Sequence, residues 1–475
     1  MELNKKSLIN TVKIISILLI CFLGFRLRLQ NYSSVPRPGD SSDEYANAWS
    51  GLGLIELGVP IGWSYLESDS YQPIHRYINV DNIYQTGTAH GNPFYLHIPW
   101  FDHPPGMGIL TGGFAYLKGA RVLEDATTVL IRKPMVYLGA LNILLLFLIG
   151  YLYFNYKTGI IAALIYSVSP LIVVANRLPQ AENAFIPLFL ISTIFIKLFQ
   201  NKSNYIYLFF SALIAGVGIW FKIPALMITA SGFLLILYSS PVQFKKRFKP
   251  AIIFTLISIS FGVIPLLVYG LALNPQAFFQ VLFFHAQRTY GIGISAFYQL
   301  LNQSKITGSF SITDGWLICG WLSWLILLVK NKNNYQKCLI SAPVFVCLIF
   351  FLFLGSESYG WYIYPFFPWL ILSLAVMFNF LDDINIISAL SILISIPIQI
   401  LLPKLGVTNI FPHFTSFWRF IYTLYLFFVC LTYLSSNKTL IKIQKILIYV
   451  LFILGVFLSI KYSLVISPET WPSVN

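Results

Sequence analysis

Residues 34–58 read SVPRPGDSSDEYANAWSGLGLIELG. They follow an apolar N-terminal run and bring together Asp40, Asp43 and Glu44, in a chain with only 17 acidic residues among 475. Two readings account for the acids. In the first they start a helix: SSDE at 41–44 fits a capping box, with Ser41 as N-cap and Glu44 three residues on. Acids in a first turn also suit the helix dipole. Tyr45, Ala48, Trp49, Leu52 and Ile55 would then share one face of an amphipathic helix, ended by Gly58 and Pro60. In the second reading the acids do chemistry at a membrane surface. Asp43 favours function, Glu44 fits both readings, and Asp40 reads as a solvated loop acid.

The surroundings of this stretch decide the fold class. The chain is 57% hydrophobic and 10% charged, with mean hydropathy +0.74, against about 25% charged residues in soluble domains. Its apolar runs are long and unbroken rather than alternating, so the membrane spans are helices and not barrel strands. The net charge of +14 does not imply nucleic acid, because most Lys and Arg lie in short loops between apolar runs, as the positive-inside rule expects. The five cysteines show neither metal nor disulfide spacing and read as small core residues. Lys5, Lys6 and Lys13 before an apolar run resemble a signal peptide. The lack of a small-residue cleavage site and the continuation into GFRLRLQ predict a retained first helix.

The hydropathy pattern predicts about 13 transmembrane helices, at 12–30, 134–154, 158–175, 184–199, 205–220, 223–239, 251–271, 314–330, 339–354, 362–379, 385–402, 416–434 and 446–462. With a cytoplasmic N-terminus, the inner loops hold Lys157, Lys197, Lys202, FKKRFK (244–249), KNKNNYQK (330–337) and Lys438, Lys442 and Lys445. Asp382 and Asp383 are the exception, and acids count for little in that rule. The outer side has a long loop at 31–133, another at 272–313, and the tail SPETWPSVN. A run at about 105–125, interrupted by Gly112, Gly113 and Lys118, reads as an interfacial helix. The organisation is a transmembrane core over 1–380 with the loop 31–133, then C-terminal helices and a short tail over 381–475, with no separate soluble domain.

Several polar features fall on that outer side. WFDHPPGMG (100–108) offers Asp102 and His103 before a proline-started helix. NRLPQAEN (176–183) offers Arg177 and Glu182, which a surface ion pair would also explain. FKIP (221–224) puts Lys222 outside against the charge rule, and FFHAQRTYG (283–291) sets His285 and Arg288 about one helical turn apart. ESYGWYIYPFFPWL (357–370) is an acid with an aromatic cluster, which an interfacial belt would also explain. Cations at a lipid surface suit a phosphate, and an acid beside them suits a general base. Asp43, Glu44 and Glu182 are the candidate catalytic acids. His103, Arg177, Lys222 and Arg288 are the candidate phosphate-binding residues.

In this order the motifs resemble membrane glycosyltransferases of the GT-C fold, in the branch of protein O-mannosyltransferases and aminoarabinose transferases. Asp43-Glu44 is similar to that family's Asp-Glu pair in the first outer loop. HPPG is similar to its KPP motif, with His103 in the lysine position, and Glu182 loosely matches a further acid of its second outer loop. HAQR (285–288) and WYIYP, which aligns Tyr362, resemble elements of the aminoarabinose transferases. The likeness runs over roughly residues 10–380. It implies an all-α polytopic GT-C architecture and an inverting transfer of a sugar from a polyprenyl-phosphate donor. The acceptor would be a protein, glycan or lipid group at the outer face of the plasma membrane. Asp43 would be the base, and Arg288, His103 and Lys222 would hold the leaving phosphate. Asp102, His285 and Tyr362 match positions near a metal site of the aminoarabinose transferases, so a divalent metal would bind there, although no cofactor is required. A transporter or flippase of lipid-linked sugars is the alternative. It would put its charges near the bilayer midplane, whereas here they lie in loops on one side.

Overall fold

The computed structural model describes residues 2–41, 43–64, 66, 70–72, 74–76, 78, 80, 94–238, 244–287, 300, 306, 311–330, 334–354, 360–407, 413–435 and 437–471. The chain opens with α1 (Glu2–Leu29), followed by α2 (Asp43–Leu57). A small antiparallel sheet of β1 (Gly62–Trp63), β2 (Ile74–Arg76) and β3 (Phe94–His97) comes next, with β3 in the middle. Its register pairs Gly62 with His97 and Ile74 with Leu96. Then come α3 (Pro105–Leu117), α4 (Thr128–Tyr153), α5 (Tyr156–Val168), α6 (Pro170–Ala175), α7 (Ala181–Lys202), α8 (Tyr205–Phe221), α9 (Leu226–Leu237) and α10 (Phe244–Leu273). The chain continues with α11 (Pro275–Ala286), α12 (Trp316–Lys330), α13 (Asn334–Leu354), α14 (Phe367–Met377), α15 (Ile384–Lys404), α16 (Phe414–Ser435) and α17 (Lys438–Val465).

A helix covers most of every window expected to span. Among the described residues, seven helical segments are long and apolar enough to cross a membrane by length and composition, and five more are shorter apolar helices. The window 158–175 is two helices, because Pro170 has no N–H to continue the ladder. There Ser169 closes α5 and accepts from the Ile172 N–H to open α6. The segment 360–380 is 89% buried, and a helix apolar on every side belongs inside a bundle; α14 is accordingly its centre. By contrast α16 is only 11% buried and lies on the bundle's periphery.

The charged loops sort to two ends. At one end, Lys157 donates to the Phe378 carbonyl at 2.7 Å. There Lys330 meets Asp383 at 3.3 Å and Lys445 meets Asp382 at 2.9 Å. The two acids that broke the charge pattern are thus partners of the lysines around them. At the other end, the loops after α1, α6 and α8 meet the sheet, α2 and α3.

Here α2 and α3 pack backbone to backbone. A Cβ on Gly51 would stand 1.8 Å from the Gly108 carbonyl oxygen, and one on Gly112 would stand 2.3 Å from that of Ala48. Only glycine permits this approach. Helix α3 opens with Pro105 at its first position, where the missing N–H costs nothing. Its 13 residues span roughly 20 Å, less than the hydrocarbon core of about 30 Å. On α2, Tyr45, Ala48, Trp49 and Leu52 are buried as the periodicity predicts, whereas Ile55 is exposed. The Trp49 indole donates to the Leu123 carbonyl at 3.0 Å, and the Tyr45 hydroxyl pairs with that of Thr128 at 2.7 Å.

Candidate functional site

The segment 31–44 is shaped by two buried arginines. Arg132, the fifth residue of α4, donates to both carboxylate oxygens of Glu44, at 2.8 and 3.0 Å. It also donates to the carbonyls of Tyr32, Pro36 and Arg37. Both side chains of the pair are 0% exposed. Glu44 takes a further hydrogen bond from the Gly39 N–H at 2.7 Å. The capping box expected at 41–44 is therefore replaced. The helix begins at Asp43, Ser41 Oγ accepts from the Gln180 amide, and the Glu44 carboxylate is held by Arg132. Glu44, expected as a catalytic acid, sits in the scaffold beneath Asp43.

Arg177 is the second corrected expectation. It is fully buried, and its guanidinium donates to the carbonyls of Leu27, Arg28 and Val35 at 2.9, 3.2 and 3.1 Å. A guanidinium enclosed by main-chain oxygens fixes the exit of α1 and faces no open site.

Asp43 stands differently. Lying in the first turn of α2, near the positive end of the helix dipole, its carboxylate keeps 23% exposure and meets His103 Nε2 at 3.5 Å. His103 sits just before Pro104-Pro105, with its ring edge-on to Trp100 at 5.6 Å. The Asp43 charge also acts on Lys222 and on Asp102.

Lys222 closes α8 in extended backbone. Its ammonium donates to Glu182 Oε1 at 2.7 Å and lies 4.6 Å over the Tyr362 ring. Burial works against the charge, but the Glu182 carboxylate and Tyr362 outweigh it and hold the ammonium above the usual lysine range. Lys222 is thus a firmly charged cation. The second oxygen of Glu182 is buried with no hydrogen bond among the described residues.

Asp102 is the other acid of the cluster. It accepts from the Tyr71 hydroxyl at 3.2 Å and from Ser64. Burial is the main effect on it, opposed by those bonds and by His103, and its carboxyl is pushed up to about 6. Tyr71 also accepts from the Phe101 N–H at 3.0 Å. It stacks on His97 at 4.0 Å, whose imidazole burial pulls down to about 4.

The structure thus gathers Asp43, Asp102, His103, Glu182, Lys222 and Tyr362. Arg288 lies outside the described residues. His285 is in the last turn of α11, the helix whose Phe278 and Val281 pack with Tyr71 and Phe101. Of the residues expected near a metal, Tyr362 lies under Lys222 and Asp102 is engaged by Tyr71 and Ser64; among the described residues no group of three His, Cys, Asp or Glu is placed to hold a metal ion.

Sequence reasoning missed Arg132, Tyr71 and His97. A signal for Arg132 was available, because like Lys222 it is a cation at the end of a span opposite the lysine-rich loops. His97 ends the short strand β3 and Tyr71 precedes β2, with no periodicity to mark either.

ArnT from Cupriavidus metallidurans has the same fold. The structure of ArnT bound to undecaprenyl phosphate matches with TM-score 0.53 and 16% identity, covering 96% of this chain and 76% of that one. Its apo state gives TM-score 0.53, 14% identity and coverages of 97% and 77%. The Archaeoglobus fulgidus oligosaccharyltransferase tethered with an acceptor peptide matches with TM-score 0.50 and 12% identity, over 95% of this chain and 55% of that one. The chain therefore spans little more than half the length of the archaeal enzyme. In sequence, residues 102–269 match the family described as dolichyl-phosphate-mannose-protein mannosyltransferase. No curated protein matches the chain. The chain is GT-C in fold, and its likeness is to the protein O-mannosyltransferase and aminoarabinose transferase group, as the motifs indicated.

Proposed function

We propose that this protein is an inverting glycosyltransferase. It would transfer a sugar from a polyprenyl-phosphate donor to a hydroxyl or amine of a protein, glycan or lipid acceptor at the outer face of the membrane. The observation that carries the reading is the Asp43 carboxylate, part-exposed and 3.5 Å from His103, within the field of a Lys222 that Glu182 keeps charged. One acid beside two basic groups is what the reaction needs. The acceptor oxygen or nitrogen attacks the anomeric carbon while Asp43 takes its proton. The bond from that carbon to the phosphate oxygen breaks, and the phosphate leaves with the electron pair.

Each group acts where charge develops. The leaving phosphate gains negative charge in the transition state, so a fixed ammonium aimed at it lowers the barrier more than it tightens the ground state. Lys222 takes that role, with His103 and Arg288 completing the phosphate site. A positioned base contributes typically about 10²–10⁴-fold. Glu182 and Tyr362 orient Lys222, and Arg132 and Glu44 fix the start of α2 on which Asp43 rides. Asp102, raised to about 6, lies beside His103 in sequence and feels its charge, without contacting the reacting atoms. No step runs through a metal.

The test is saturable binding of polyprenyl phosphate to the purified protein, read by native mass spectrometry. Lys222→Met alone leaves Glu182 buried and uncompensated, so Lys222→Met with Glu182→Gln is the variant to compare. The double variant should fold and lose at least tenfold in affinity for polyprenyl phosphate, while ordinary phospholipid stays bound. Equal affinity in the wild type and the double variant would remove Lys222 from the phosphate site. Absence of saturable binding to the wild type would overturn the reading.

A further inference from the structure

The C-terminal segment after α17 carries none of the motifs that pointed to chemistry, and Asp40 read as a solvated loop acid. The structure joins the two. The Trp471 indole, 4% exposed, donates to Asp40 Oδ2 at 2.8 Å. A turn holds Trp471 in place, with its N–H on the Ser467 carbonyl at 2.9 Å and the Ser467 N–H on Thr470 Oγ1 at 2.8 Å. Two further bonds fasten the same segment to the exit of α1: Gln30 to the Leu464 carbonyl at 2.9 Å and Asn31 to the Ile466 carbonyl at 3.2 Å.

From Asp40 the connection runs to Asp43 through short, named links. The same Asp40 oxygen accepts the Arg37 N–H at 3.0 Å, and the Asp40 N–H returns to the Arg37 carbonyl at 3.1 Å. That carbonyl also takes Arg132 Nη2, whose guanidinium holds Glu44. Gly39, between them, has φ +83°, a left-handed conformation that glycine adopts without strain. From there its N–H reaches Glu44 Oε1 at 2.7 Å. Glu44 is the residue after Asp43. The tail thus braces, from the far end of the chain, the turn that aims the first residue of α2.

We propose that Trp471 is a positioning residue for Asp43: through its hydrogen bond to Asp40, the C-terminal segment acts as a strap that sets the start of α2 for catalysis. The inference rests on Asp43 being the base proposed above. Burial raises the Asp40 carboxyl against the Trp471 and Arg37 bonds that lower it, so this half-buried acid is engaged by the strap. Misplacing a catalytic group by about 1 Å can cost about a hundredfold in rate, whereas Lys222 is held directly by Glu182, so the strap should act on the chemical step more than on donor binding.

The test is a set of variants of the full chain in a reconstituted transfer assay. Trp471→Phe keeps the ring and removes the donor. It should lower kcat by about tenfold or more, with a smaller change in donor KM and the melting temperature unchanged. Asp40→Asn keeps an acceptor and should retain near wild-type kcat. Asp40→Ala should match Trp471→Phe, and the two together should be no worse than either alone. Wild-type kcat in Trp471→Phe, or losses that multiply in the double variant, would overturn the strap. So would a kcat change that merely follows a lowered melting temperature. If the wild type transfers sugar and Asp43→Asn does so equally well, the base assignment has failed instead, which separates the two ideas.

Discussion

Removing Arg132 tests how the site is held. Arg132→Met keeps much of the volume and deletes the charge opposite Glu44, with both partners 0% exposed. Glu44 then retains the Gly39 N–H among its described bonds to replace two charge-assisted ones. Breaking a buried pair by removing one partner costs about 3–5 kcal/mol. The carbonyls of Tyr32 and Pro36 lose this donor as well, at about 1 kcal/mol each where water does not replace it, while that of Arg37 keeps the Asp40 N–H. The expected loss is therefore at least about 3 kcal/mol, roughly a factor of 150 in the folding equilibrium. Glu44→Gln in the Arg132→Met background removes the stranded charge and should recover part of that loss, leaving the cost of the carbonyls. Equilibrium unfolding in mixed micelles, followed by tryptophan fluorescence, measures all three proteins. Arg132→Met as stable as the wild type would refute the argument, because it would mean that the 31–44 segment is anchored elsewhere.

Two further outcomes follow from the same geometry. Asp102, pushed up to about 6, holds a proton in the folded state that an unfolded carboxyl releases near pH 4. The folded state therefore binds more protons in that window, and stability falls as pH rises from about 4 to 6. Asp102→Asn lacks that penalty. Its melting temperature relative to the wild type should climb through this window and level off above it, and a pH-independent difference would contradict the assignment. Gly51→Ala puts a methyl 1.8 Å from the Gly108 carbonyl oxygen and should separate α2 from α3, costing about 1–3 kcal/mol or more. Gly113→Ala, whose nearest neighbour would be 3.7 Å away, should be tolerated. Similar melting curves for the two would show that the helices are not in backbone contact.

What the sequence revealed and what it hid have a common cause. Hydropathy is local, so the windows 134–154 and 385–402 could be read directly, and a proline explains why 158–175 is two helices. Asp43 drew attention because charge is rare in this chain and the motif order around it is informative. The role of Glu44 could not, since its partner Arg132 lies 88 residues away and the capping-box pattern supplied a sufficient local reason. Arg177 was misassigned for a related reason: a sequence reveals a cation but not whether carbonyl oxygens or an open site surround it. The Glu182–Lys222 pair was half visible, each residue flagged alone and neither as the other's partner. Trp471 and Asp40 were invisible together, because no local pattern links positions 431 residues apart.

The central claim is that Asp43 is the base of a sugar transfer from polyprenyl phosphate. It is tested most directly by single-turnover transfer from a polyprenyl-phosphate sugar with wild-type and Asp43→Asn protein at equal donor occupancy. The account predicts a fall of about 10²–10⁴-fold in the rate of the chemical step, with donor binding and melting temperature retained. Transfer at the wild-type rate by Asp43→Asn would contradict it.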